Sequence, residues 1–195
     1  MSAPLALFAT TAKGMEELLV AELGALGASD VVLQRAGASF SGTLELAYRI
    51  CLGSRIANRV LLPLATFAAP TPQALYDGVR TICWSDHLDA GRTLAVNCAV
   101  SHSTITHSHF AALKTKDAIV DQLRERTGQR PSVDVTHPDV RVNVYLHENR
   151  AVVSIDLSGE SLHRRAYRQR GGPAPLKENL AAAILLQSYL DSIAT

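Results

Sequence analysis

The spacing of apolar residues changes in a set order along roughly the first seventy residues, and this order most constrains the fold. A short apolar run at 5–9 predicts a β-strand, and apolar residues recur at helical spacing over 15–26. Two short β candidates follow between residues 31 and 40, then a helix that Thr43 can cap and a strand at 58–67. The order strand, helix, two strands, helix, strand predicts a ferredoxin-like α+β unit.

A composition break at residues 69–72 marks the start of a second unit. Its sequence, Ala-Pro-Thr-Pro, ends the preceding strand, because proline lacks the backbone N–H that a sheet requires. Thr71 and Pro72 then supply a helix cap and a first helical position. The elements predicted beyond this point are a short helix to about residue 82, a strand at 93–100, a helix at 108–126, a β-hairpin at 140–157 and a last helix at 176–193.

These patterns divide the chain into three segments. Residues 1–69 form the ferredoxin-like subdomain, and residues 70–160 form a second α/β subdomain. Residues 161–195 hold a basic strand, a glycine- and proline-rich linker and the last helix. We expect an α+β protein of two subdomains that ends in a linker helix.

The helix predicted over residues 108–126 is amphipathic. Its apolar side is expected to carry Phe110, Leu113, Val120 and Leu123, with charged residues elsewhere. Two of those charged residues are Lys114 and Lys116, which have two interpretations. Either they only solubilise the helix, with Asp117 paired to Lys114, or they contact nucleic-acid phosphates; spacing alone favours the first.

The net charge is only +1, yet the basic residues are unevenly distributed. Between residues 159 and 177 the only acid is Glu160, and the bases are Arg164, Arg165, Arg168, Arg170 and Lys177. In an extended strand Arg164, Arg168 and Arg170 would share one face, and Arg165 and Tyr167 the other. Cations beside an aromatic ring suit phosphate contact and base stacking in RNA. An exposed edge strand that uses charge to prevent unwanted pairing fits the pattern equally well.

Several kinds of site have no motif in this sequence. We find no GxGxxG or GxxxxGK[ST] loop for a nucleotide or methyl donor, and no GxSxG nucleophile elbow. The three cysteines are widely spaced, and His102, His107 and His109 match no common zinc pattern, so no metal site is expected. No apolar stretch approaches the ~20 residues of a membrane-spanning helix. We expect a soluble, cytoplasmic chain with no catalytic residues, three reduced thiols and solvent-facing loop histidines.

An ordered set of segments resembles a known family. The segments are FATTAKGME at 8–16, FAALKTKDAIVD at 110–121, RVNV at 141–144, DLSG at 156–159, LHRRAYR at 162–168 and APLKENLAAA at 174–183. Together they resemble the N-terminal part of bacterial large-subunit ribosomal RNA guanine-N2 methyltransferases. That family joins a ferredoxin-like unit, a THUMP domain and a Rossmann-like methyltransferase domain, and the resemblance covers nearly the whole chain.

The resemblance implies that this chain binds ribosomal RNA while a methyltransferase domain in the same parent chain, beyond Thr195, uses S-adenosylmethionine. The candidate RNA contacts are Lys114, Lys116, Arg164, Arg165, Tyr167, Arg168 and Arg170. Pro175, Leu176 and Lys177 are implied, by the family alone, to line the cofactor entrance. Two alternatives stay open: a THUMP module of a transfer-RNA-modifying enzyme, such as a thiolation enzyme, and a stand-alone RNA-binding protein without enzymatic activity.

Overall fold

The computed structural model describes residues 4–165 and 176–193, and these fall into two compact units. Unit 1 contains the chain up to Leu62 and again from Leu157 onward. Unit 2 is the continuous segment from Pro63 to Asp156. Unit 2 is therefore inserted into unit 1, so that unit 1 consists of two separate stretches of sequence.

Unit 1 has a split βαβ topology. Its elements are β1 (Leu5–Thr10), α1 (Glu16–Ala25), β2 (Ser29–Gln34), β3 (Gly37–Gly42), α2 (Leu44–Gly53), the first part of β4 (Arg59–Ala68) and α5 (Glu178–Ile193). The strand order is β2-β3-β1-β4 with antiparallel neighbours throughout. This arrangement confirms the predicted ferredoxin-like fold.

The core of unit 1 draws on both stretches of its sequence. Leu7, Leu19 and Ile50 are fully buried, and Leu162 and Ala183 from the C-terminal stretch join the same apolar cluster. The helix after β3 begins where the sequence predicts, because Thr43 Oγ1 accepts a hydrogen bond from Leu46 N at 3.2 Å.

Unit 2 is a mixed sheet covered on one face by two helices. Its elements are the second part of β4, α3 (Pro72–Arg80), a short 3-10 turn (Trp84–Asp86), β5 (Thr93–Ser101), α4 (Ser108–Thr127), β6 (Ser132–Val133), β7 (Val140–His147) and β8 (Arg150–Asp156). Strand β5 is parallel to β6 and β7, while β7 and β8 form the predicted antiparallel hairpin. Thr71 caps α3 through Ala74 N at 3.1 Å.

The apolar side predicted for α4 is partly wrong. Val120 and Leu123 are buried, but Phe110 and Leu113 are 46% and 43% exposed. The buried face instead includes four small or polar side chains at helical spacing, Ala111, Thr115, Ala118 and Gln122. A ranking by apolarity favours Phe and Leu over Ala, whereas close packing between helices favours the smaller residues.

The first residues of the predicted basic strand do not form a strand. Arg164 N donates to Ser161 O at 2.9 Å, so residues 161–164 form a turn, and residues 164 and 165 follow in irregular structure. Residues 166–175, which include Tyr167, Arg168, Arg170 and Pro175, lie outside the described part of the chain. Within that part, no helix is long and apolar enough to cross a membrane.

Candidate nucleic-acid interface

A buried carboxylate of unit 1 holds the loop that follows α2. Glu22 on α1 is only 8% exposed and accepts hydrogen bonds from Ser54 Oγ at 2.5 Å, Arg55 N at 3.0 Å and Ile56 N at 3.2 Å. The Arg55 guanidinium also reaches Glu22 through Nε at 3.2 Å, while most of that side chain stays exposed. The loop backbone is fixed, and Arg55 is held at its surface.

The burial of this carboxylate could be predicted from its spacing among apolar residues, although the distribution of charges alone does not indicate it. Glu22 follows Leu19 by three positions and precedes Leu26 by four, so it lies on the apolar side of α1 rather than among the exposed acids. A lone acid in an apolar helical stripe is a candidate for a buried, hydrogen-bonded group.

Arg165 joins the end of α2 to the beginning of α5 in unit 1. Its guanidinium donates to Leu52 O at 2.9 Å and Ser54 O at 2.7 Å, at the end of α2. Its backbone N–H donates to Glu178 Oε2 at 3.2 Å, at the beginning of α5. Carbonyls in the last turn of a helix have no partner within that helix, and a guanidinium satisfies them well.

These contacts border a cavity of about 340 Å³ in unit 1. Its polar lining comes from Ser54, Arg55, His163, Arg165, Glu178 and Asn179, and leucines, alanines and Gly53 contribute the rest. Asn179 is 2% exposed and donates to Ile56 O and Asn58 Oδ1, while its own Oδ1 is buried and has no hydrogen-bond partner among the described residues. The cavity thus combines apolar walls with charged groups and one unused buried acceptor.

The surroundings of the cavity are predominantly basic. Burial, and then the charges of Lys177 and Arg164, lower the pKa of His163, which favours its neutral form. Arg164 is 71% exposed, and its nearest acid, Glu160, is 3.7 Å away. An exposed pair at this distance contributes little to stability, so the Arg164 guanidinium can exchange Glu160 for another anion.

In unit 2, Lys114 belongs to a network between α3 and α4. Lys114 Nζ lies 4.5 Å from the centre of the Tyr76 ring, and Tyr76 donates to Asp121 at 2.7 Å. Arg80 donates to the Tyr76 hydroxyl and binds Glu125 through both terminal nitrogens. The hydrogen bond from Arg80 lowers the pKa of Glu125, and the bond to Asp121 raises that of Tyr76.

Lys116 is separate from this network. Its Nζ is 2.6 Å from Asp117 Oδ1, and its side chain is 20% exposed. Residues two apart on a helix do not share a face, so Lys114 and Lys116 lie on different sides of α4. The pairing of Asp117 with Lys114 in the solubilising interpretation is wrong, because Asp117 pairs with Lys116 instead.

The remaining predicted site residues occupy different places. Leu176 and Lys177 immediately precede α5, and both are exposed. His107 is a helix cap that sequence reasoning missed, since its Nδ1 accepts from Phe110 N at 3.1 Å. His102 and His109 are exposed. Among the residues that the structure describes, no group of three or more His, Cys, Asp or Glu side chains could hold a metal ion.

Comparisons with known proteins agree with both units. Residues 69–156 match the family model of the THUMP domain, and residues 6–61 match that of the RlmL ferredoxin-like domain. SMU.472, a proposed methyltransferase crystallised with SAH, superposes with a TM-score of 0.82 at 31% identity, over 96% of this chain and 49% of that one.

Two curated relatives carry the same name, ribosomal RNA large subunit methyltransferase K/L. The protein from Syntrophotalea carbinolica is 56% identical over 188 residues, and that from Methylococcus capsulatus is 56% identical over 187. Each alignment covers 96% of this chain but only 26% and 25% of the relative, so the chain spans about a quarter of their length. The chain contains an RlmL ferredoxin-like domain and a THUMP domain, and it is homologous to about a quarter of the length of the proteins named ribosomal RNA large subunit methyltransferase K/L.

Proposed function

We propose that this chain binds ribosomal RNA and presents it to a methyltransferase domain of the parent protein, which methylates a guanine at N2. The observation that carries the proposal is the 56% identity, across 96% of this chain, to relatives named as ribosomal RNA methyltransferases. An enzyme that modifies a base must bring that base out of its stack. A separate module that holds the RNA backbone can fix the position of the RNA while the chemistry proceeds elsewhere.

The basic residues around the cavity of unit 1 support this role. Arg164 and Lys177 are exposed, and Arg55 is held at the surface by Glu22. We assign phosphate contact to Arg164, with Arg168 and Arg170 as its partners and Tyr167 as a stacking residue. Arg165 is assigned a positioning role instead, because its guanidinium already binds two carbonyls.

The two lysines of unit 2 receive different assignments. Lys114 is proposed to contact RNA beside Tyr76, where the residue is only partly buried. Lys116 is proposed as a weaker contact, since it must first release Asp117.

S-adenosylmethionine is the proposed methyl donor of the parent protein. Pro175, Leu176 and Lys177 are assigned to its entrance on the strength of the family resemblance, and SMU.472 was crystallised with SAH, the product of methyl donation. Leu176 and Lys177 precede α5, whose first turn lines the cavity through Glu178 and Asn179. We place the parent protein in the cytoplasm, where it would meet ribosomal RNA. A transfer-RNA-modifying enzyme is the second candidate, because a THUMP domain alone does not specify the RNA.

Salt-dependent RNA binding tests the proposal. Affinity for a large-subunit ribosomal RNA transcript should fall as salt rises, and Ala at Arg164, Arg168 and Arg170 together should reduce the slope by about one per lost phosphate contact. Arg49→Ala is the matched control, since Arg49 is an exposed arginine of unit 1 that pairs with Glu45. An unchanged slope in the triple variant would contradict the assignment, and preference for transfer RNA would favour the second candidate.

A further inference from the structure

The face of the unit 2 sheet opposite its apolar core carries a row of rings that the RNA assignments above do not use. Val142, Val144 and Leu146 of β7 are fully buried in the apolar core of unit 2. Side chains alternate along a strand, so Asn143, Tyr145 and His147 emerge on the opposite face. On this face Tyr145 is 39% exposed.

Three rings contact one another in sequence at the end of this face. The Tyr145 and His147 rings are nearly parallel, at 14°, with their centres 5.8 Å apart. His147 then meets the edge of His102, with ring centres at 5.7 Å and an angle of 78°. One face of the Tyr145 ring is therefore covered by His147, and its other side is directed along the strand toward Asn143.

The space beside Tyr145 is bordered by small and amide side chains. Strand β5 runs parallel to β7 in a register that pairs Ala99 with Tyr145 and Asn97 with Asn143. Ala99 is exposed and too small to fill the space next to the ring. Asn97 and Asn143 are neighbours on the same face, and each amide offers both a donor and an acceptor. An aromatic wall beside two amides forms a shallow trough.

The end of the sheet that carries this row is held rigidly. Asn149 accepts from Thr104 N at 2.8 Å through its side chain and donates to Ser103 Oγ at 3.0 Å through its backbone. His102, Glu148 and Asn149 all have positive φ, at 48°, 49° and 59°. Glu148 and Asn149 are the two central residues of the tight turn between β7 and β8, a turn type that has positive φ at both positions. Asn149 thus ties this turn to the loop that carries His102.

We propose that this trough binds an unpaired RNA base, which stacks on Tyr145 and forms hydrogen bonds with Asn97 and Asn143. Aromatic side chains on a sheet surface bind splayed-out bases in common RNA-binding modules, and paired amides match the donors and acceptors of a base edge. A protein partner fits less well, because Tyr145 is a single exposed ring whose cross-strand neighbours on this face are Ala99 and the half-buried Val152. Arg150, which pairs with His147 across the hairpin, can meet an adjacent phosphate, although Glu148 lies next to it in the turn.

The site rests on the proposed RNA-binding function and deepens it by naming unpaired RNA as the ligand of this face. Stacking makes no phosphate contact. Loss of the ring should therefore weaken the binding of single-stranded RNA without changing its salt dependence, and should leave duplex RNA unaffected.

The test uses the full chain with a short single-stranded RNA that carries 2-aminopurine, and a blunt RNA duplex for comparison. Tyr145→Ala should weaken single-strand binding at least about fivefold and abolish the change in 2-aminopurine fluorescence, while Tyr145→Phe retains both. Ala99→Leu should weaken the same binding by filling the trough. Tyr48→Ala, which removes a tyrosine of unit 1 that is 49% exposed, is the control and should behave as wild type.

The outcomes separate this site from the function on which it rests. If the wild-type chain binds neither RNA, both the proposed function and the site are wrong. If the wild type binds RNA and Tyr145→Ala binds single strands equally well, only the base site is overturned. Circular dichroism of each variant shows whether the fold is intact, and Ala99→Leu provides an independent variant that leaves the ring in place.

Discussion

Unit 1 and unit 2 each fix a loop with one buried polar side chain, but they use different chemistry. In unit 1, Glu22 on α1 binds the loop after α2. In unit 2, Gln122 on α4 binds the loop after α3 and is only 5% exposed. Its amide donates to Arg80 O at 2.7 Å and Ile82 O at 2.9 Å, and accepts from Trp84 N at 3.0 Å.

The difference follows from what each loop presents. The loop after α2 offers Glu22 only donors: a hydroxyl, two backbone N–H groups and a guanidinium. A carboxylate, which only accepts hydrogen bonds, therefore matches this loop. The loop after α3 offers two carbonyls and one N–H, so an amide that both donates and accepts is required. Glutamate and glutamine have similar shapes, yet glutamine at position 22 and glutamate at position 122 should each destabilise the protein.

The largest effect is expected from Gln122→Glu. A carboxylate cannot donate to the carbonyls of Arg80 and Ile82, and it would place an unpaired charge in the interior. We expect a loss of about 3 to 5 kcal/mol in the free energy of unfolding, measured by urea denaturation. Gln129→Glu is the control on an exposed glutamine and should change little. Equal stability of the two variants would refute the assignment of Gln122.

A smaller loss is expected from Glu22→Gln. The amide retains one acceptor, but its NH2 group would face the loop N–H groups, and the charge that attracts Arg55 is lost. We expect a decrease of about 1 to 3 kcal/mol in the free energy of unfolding. Glu17→Gln, an exposed acid on the same helix, should stay within about 0.5 kcal/mol of wild type. A loss of similar size in both variants would mean that helix charge, and not the buried network, is responsible.

The smallest effect concerns acid pH and a surface carboxylate of unit 2. Hydrogen bonds from Thr93 N and Thr93 Oγ1, both at 2.8 Å, lower the pKa of Asp139 below its usual 3.8. Because the folded-state pKa is depressed, the stabilisation is complete above the usual value and is lost as pH falls through the folded value. Wild type should exceed Asp139→Asn in stability at neutral pH, and the gap should close as the pH falls below the usual value of 3.8.

The denaturation midpoint across this pH range checks the prediction. Asp89→Asn is its control, because Asp89 is 84% exposed and lies 4.0 Å from its partner Arg92. A gap between wild type and Asp139→Asn that stays constant as the pH falls would show that the Thr93 contacts do not depend on the charge of Asp139.

Local patterns predicted the elements of this fold well because their signals lie within a few residues. Thr43 caps α2 and Thr71 caps α3, and the hairpin of β7 and β8 has alternating apolar residues. Contacts between residues that are far apart in the sequence could not be predicted in this way. The bonds from Arg165 to Leu52 and Ser54 span more than a hundred positions, and no spacing rule relates such residues.

The site was predicted less completely than the fold, for a related reason. Charge and composition identified the arginines at 164 and 165, but they could not distinguish an exposed guanidinium from one that binds two carbonyls. Tyr145 and His147 fall within the β-hairpin predicted at 140–157, and no local pattern predicts a contact between their rings. The edge contact of His147 with His102 depends on the parallel register of β5 and β7, which local spacing does not predict.

The insertion of unit 2 within unit 1 has a consequence for the order in which the chain folds as it is synthesised. Ribosomes release the N-terminal part first. Unit 2 is complete once Asp156 has emerged, whereas unit 1 still lacks Leu162 and Ala183 from its core. The N-terminal stretch of unit 1 therefore keeps part of its apolar core uncovered while unit 2, which is synthesised after it, folds first. Translation speed across residues 157–183 thus determines how long that core stays exposed to aggregation or to chaperones.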